Sequence, residues 1–145
     1  MVITSKYCNT LGILGLILLV NSCATTTSGS GSWFYVGETH WGDMKHYISP
    51  NSIKRNGSIA KVESKNVLKV PETTSFLKGK KYAYDINQWE VNCKQARVKL
   101  ISASYYNTSN QLIFTHKIQN PKSNPILKNT MFASIYRFTC DKFSS

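Results

Sequence analysis

Residues 81–106, KYAYDINQWEVNCKQARVKLISASYY, hold two runs dense in Val, Ile, Tyr and Trp, parted by Cys-Lys-Gln at 93–95. β-branched and aromatic side chains fit a pleated, half-buried surface, so each run is predicted as a strand. In the second, Val98 and Leu100 share one face and Arg97, Lys99 and Ile101 the other, because successive side chains point to opposite sides. Working outward, SWFYVG at 32–37, MKHYIS at 44–49, SIAKVESKNVLK at 58–69 and QLIFTHKI at 111–118 have the same composition, which makes six strands. In the third, Ile59, Lys61 and Glu63 oppose Ala60, Val62 and Ser64. This one-sided alternation is the mark of an antiparallel sheet with one wet face. Arg55-Asn56-Gly57 and Asn107 to Asn110 are hairpin connections, Asn107-Thr108-Ser109 is read as turn chemistry, and Pro50 is expected to begin the turn after the second strand.

The tail reads two ways. Asn124 can cap a helix with Pro125 at its first position, where the missing N–H costs nothing. Leu127, Met131, Ile135 and Phe138 then form one helical stripe. Alternatively, Ile135 to Cys140 is a strand, with Tyr136, Phe138 and Cys140 on one side. The helix is preferred. Laid on the sheet, it gives a two-layer α+β fold.

The N-terminus is read as an export signal. Lys6 is followed by an apolar stretch from Leu11 to Val20, too short to span a bilayer, with small residues at Ser22 and Ala24. VNSC at 20–23 resembles the lipobox of bacterial lipoproteins, although Asn21 stands where a smaller or apolar residue is commoner. The resemblance implies a signal peptide over 1–22 and acylation of Cys23, and Ala24 after the cysteine implies delivery to the outer membrane. A multiply acylated N-terminus holds a protein at a membrane without crossing it. The Ser, Thr and Gly-rich stretch of 23–32 is then a flexible tether, and 33–145 the single domain.

With Cys8 in the signal and Cys23 acylated, Cys93 and Cys140 remain in an oxidising compartment and are expected to pair. The alternative is two separate buried thiols. No CxxC or His cluster points to a metal.

The chain carries 18 Lys plus Arg against 7 Asp plus Glu, a net charge of +11. On an exported domain this calls for an anionic partner, such as lipopolysaccharide phosphates, peptidoglycan, acidic glycans or acidic stretches of host proteins. Nucleic acid is set aside because an envelope lipoprotein rarely meets it. Nothing points to catalysis or a cofactor. His40, His46 and His116 are scattered, no GxSxG or SxxK motif or Gly-rich phosphate loop occurs, and an Asp85–Glu90 dyad would be arbitrary.

The best binding candidate is LKGKKYAY at 77–84. Lys78, Lys80 and Lys81 flank Gly79 at a loop tip, and Tyr82 and Tyr84 follow with planar contact area. Lys54 and Arg55 make a weaker cluster, read as turn solubility. Trp33 and Trp89 are assigned to the core and Trp41 is an exposed candidate.

Trp33, YISPNSIKRNG at 47–57, EVNC at 90–93 with Arg97, SYY at 104–106, PKS at 121–123 and FTC at 138–140 together resemble the surface-adhesin protein E family. The resemblance implies an outer-membrane lipoprotein whose six-stranded antiparallel sheet holds a C-terminal helix by a disulfide, carried here by Cys93 and Cys140. The family's best-known member dimerises and binds host matrix and serum proteins such as vitronectin, laminin and plasminogen. Ser49 and Asn92 depart from the family, which often has aspartate there, and leave this chain more basic. An exposed sheet edge is compatible with a homodimer. Two functions follow: an adhesin for host proteins, or a periplasm-facing envelope lipoprotein with an accessory role.

Overall fold

The computed structural model describes residues 32–141. The expected signal peptide over 1–22, the acylation expected at Cys23 and most of the expected tether over 23–32 lie outside the described residues.

Strands β1 (Phe34–Glu38), β2 (Met44–Asn56), β3 (Ile59–Glu72), β4 (Tyr82–Asn92), β5 (Arg97–Tyr106) and β6 (Leu112–Lys117) form an antiparallel meander in chain order. The six expected runs are the six long strands. Gly57 at φ 59 closes the β2–β3 turn in the left-handed region that favours glycine. In the β5–β6 turn the Asn107 carboxamide oxygen accepts from the backbone N–H groups of Ser109 and Gln111, so the asparagine builds the turn.

Pro50 does not end the second strand. β2 runs on to Asn56, with a register break against β3 between Ser49 and Lys54. Proline has no N–H for the ladder and is tolerated at such an irregularity. Ser52 bridges the gap: its hydroxyl donates to the Ser49 carbonyl at 2.7 Å and accepts from the Glu63 N–H at 2.8 Å.

Asn124 and Pro125 do not start the helix. They form a two-residue strand, β7 (Asn124–Pro125), paired with Arg97 and Val98 of β5. The Arg97 side chain reaches the Ser123 hydroxyl and carbonyl, and the Ile126 N–H donates to the Ala96 carbonyl, so the chain is drawn out as an edge strand. The helix α1 (Met131–Tyr136) starts six residues later. Thr130, in extended conformation, accepts from the Ala133 N–H as its cap. Leu127 therefore lies outside the helix and is exposed, and a wide helical turn over Arg137–Asp141 completes the element.

One face of the sheet is covered. Ile48, Val62, Trp89, Val91 and Val98 meet Ile135 and Phe138 from the helical segment. Phe132 packs edge-on against Trp89, ring centroids 5.3 Å apart, and Phe138 lies 5.1 Å from Phe34. Each such side chain removed from water contributes about 1.5–3 kcal/mol. Three ties reinforce the contact. Cys93 and Cys140 are bonded, with Cα atoms 5.6 Å apart; Tyr136 donates to the Cys93 carbonyl at 3.0 Å; Arg55 donates to the Thr139 carbonyl at 2.7 Å. Arg55, read from sequence as turn solubility, thus holds the helix end. Trp33, assigned to the core, lies half-buried on the opposite face, whereas Trp89 is core.

Candidate functional site

The lysine loop joins β3 to β4. A single turn of 3-10 helix at Ser75–Leu77 is anchored by buried Leu77, which packs on Leu68 and Tyr82. Lys78 and Gly79 follow in left-handed conformations, φ 50 and 82, and reverse the chain. Lys78, Lys80 and Lys81 are all exposed. Tyr82 does not accompany them. It is 7% exposed, edge-on to Tyr105, and burial pushes its phenol up to about 12. The cause is a register break between Val67 and Glu72, which turns Tyr82 onto the covered side while Tyr84 keeps to the other. The loop presents three ammonium groups on an apolar footing, and Tyr82 belongs to that footing.

A polar row lies beneath the loop on the covered face, buried at Asn66, Asp85 and Asn87 and half-buried at His46. His46, Asn66 and Asp85 pair side by side on β2, β3 and β4, with Asn87 two residues along β4. Asn66 donates to Asp85 Oδ1 at 2.8 Å, Asn87 donates to the same oxygen, and His46 Nδ1 is 2.8 Å from Asn66 Oδ1. Burial holds the Asp85 carboxyl up at about 6, against the opposing pull of the Asn87 and Asn66 amides and of His46. Burial first, and the Asp85 charge after it, raises the phenols of Tyr82 and Tyr105. Glu90 sits on the opposite face, ion-paired to Lys99 at 2.8 Å, so Asp85 and Glu90 form no dyad. The histidines stay apart: His40 contacts Trp41, and His116 stacks on Phe76. Among the described residues no group of three His, Cys, Asp or Glu could hold a metal ion, and no helix is long and apolar enough to cross a membrane.

The other face of the sheet is crossed by one row of paired residues: Tyr35, Tyr47, Lys65, Ile86, Ser104 and Thr115, one from each strand β1 to β6. Lys65 stands at its centre with its ammonium 5.1, 5.8 and 5.4 Å from the ring centroids of Trp33, Tyr47 and Tyr84. Tyr84 stacks in parallel on Tyr106 at 4.8 Å, and Tyr35 meets Tyr47 edge-on at 5.6 Å. Lys65 is desolvated enough by these rings that its pKa falls below the usual lysine value. Sequence reading passed over this cluster, although the alternation of Lys61 and Glu63 continues to Lys65 on the same face. What no single run could show was that Tyr47 and Tyr84 stand on the strands either side of it.

A family model described as surface-adhesin protein E matches residues 33–141. Among solved structures, the fold is similar to that of Haemophilus influenzae protein E, with 12% identity over 74% of this chain and 83% of that one, TM-score 0.55. A second crystal form of that protein gives 10% identity over 77% of this chain and 90% of that one, TM-score 0.57. No match was found among curated proteins. The family match spans the described domain, the order of strands, helix and disulfide is the one that the resemblance implied, and the chain belongs to the surface-adhesin protein E family.

Proposed function

We propose that the chain is a lipid-anchored adhesin of the outer membrane, held by acylated Cys23 after removal of residues 1–22 and displayed on a tether over 23–32. Its partners are host matrix or serum proteins, captured through acidic segments by Lys78, Lys80 and Lys81. The observation that carries this reading is the family match over residues 33–141. The exposed lysines and the chain's net charge of +11 support a basic contact surface. Family and fold both speak for binding rather than catalysis.

Changing Lys78, Lys80 and Lys81 together to alanine is the test. Retention on immobilised vitronectin or laminin should fall about tenfold at low salt, and its dependence on ionic strength should flatten. Unchanged retention would remove the loop from the account. Tyr82 is excluded from this set because its substitution would unseat Leu77 and the loop itself.

A further inference from the structure

We propose that the face carrying Lys65 is a binding surface for an acidic polysaccharide chain, a second contact site separate from the lysine loop. Three observations meet here.

The first is shape. Tyr35 and Tyr47 on β1 and β2 have ring centroids 5.6 Å apart, Tyr84 and Tyr106 on β4 and β5 have theirs 4.8 Å apart, and Lys65 of β3 stands between the two pairs. Tyr35, Tyr47, Tyr84 and Tyr106 thus form a strip of aromatic area on either side of Lys65. Sugar rings have the matching character, with C–H faces that stack on aromatic planes and hydroxyls around the rim. Rigid tyrosines supply such contact area at little entropic cost.

The second is charge. Lys65 has no carboxylate within ion-pairing distance among the described residues, and neither do Lys45 and Lys61 of the same face. The carboxylates there are engaged or set aside: Glu90 pairs with Lys99, Glu63 accepts from Gln88 at 3.3 Å, and Glu38 lies opposite Lys45 at the edge. A cation already partly desolvated by three rings has less solvation left to lose on meeting an anion, so a uronate or sulfate beside it gains more than it would from an open lysine.

The third is continuity. Beside the strip, the break in β2 opens a groove of about 430 Å³ whose polar lining includes Asn51, Ser52, Lys54, Lys61 and Gln88 with one carboxylate, Glu63, which accepts from Gln88. Hydroxyl, amide and ammonium groups there can take the hydroxyls and acidic groups of further sugar units. A strip running into a groove suits a chain, and a compact ligand would use only one of the two.

The full chain, purified in detergent, is titrated with a heparin octasaccharide, a hyaluronan octasaccharide and neutral maltooctaose. Both acidic chains should bind, and maltooctaose at least about tenfold more weakly. Lys65→Gln should weaken the acidic chains about tenfold. The Lys78/Lys80/Lys81→Ala variant should also stay within about twofold, so failure of the loop and failure of this face are told apart. Equal binding by wild type and Lys65→Gln would overturn the proposal, as would loss in the loop variant alone. A Lys65→Gln change in sedimentation state without a change in sugar binding would also overturn it, by making the face a contact between copies of this chain.

Discussion

Replacing Cys93 and Cys140 together by alanine is expected to lower the stability of the domain by about 4 kcal/mol in the chain-entropy treatment of a crosslink. The two cysteines are 47 residues apart, so the bond removes much freedom from the unfolded chain. The loss should fall unevenly. α1 has only six residues, far below the length at which an isolated helix persists in water, and it stays formed because its inner side is packed and its end is tied. Without the bond, the Tyr136 and Arg55 hydrogen bonds and the Phe132–Trp89 contact remain as its holds. Urea unfolding followed by tryptophan emission should show an earlier midpoint, and hydrogen exchange should rise first in Met131–Asp141. An unchanged midpoint with an unchanged exchange pattern would mean that packing alone seats the helix.

Asp85→Asn is expected to stabilise the protein at neutral pH and to do nothing at pH 4. The Asp85 carboxyl sits at about 6 in the folded state against 3.8 as an ordinary value. A raised folded pKa means that the fold prefers the protonated acid. Its stabilising effect is complete below about pH 4 and is lost as the pH climbs through about 6, a difference of about 3 kcal/mol at most. Asparagine keeps an oxygen to accept from Asn66 and Asn87 and cannot ionise. Thermal unfolding of both proteins from pH 4 to 7 should therefore give curves that coincide at the acid end and separate toward neutrality. Titrations of groups remote from Asp85 are common to both proteins and cancel in the comparison. Parallel curves across that range would show that Asp85 is ionised throughout.

Strand positions were legible because alternation and β-branched composition are local properties. Ala60, Val62 and Ser64 all face the covered side, as the pattern in their own run says. Register breaks were not legible, since each depends on a partner strand. The irregularity after Ser49 turned Pro50 from a strand end into a strand member, and the one between Val67 and Glu72 reversed Tyr82. The tail failed for a related reason. Asn124 and Pro125 have sound helix-start chemistry, yet Arg97 and Ala96 offer bonds to an extended chain at that point, and Thr130 supplies a cap further on. The disulfide was within reach of cysteine counting. The Lys65 cluster was not, because its members come from β2, β3, β4 and the residue before β1, and only the sheet brings them together.

An adhesin must face outward. Intact cells bearing the full chain are treated with a protease too large to enter the envelope, and the domain is followed by antibody. Display on the surface requires its loss from intact cells while a periplasmic marker survives. Protection until the outer membrane is permeabilised would place the domain inside the envelope and contradict the binding role.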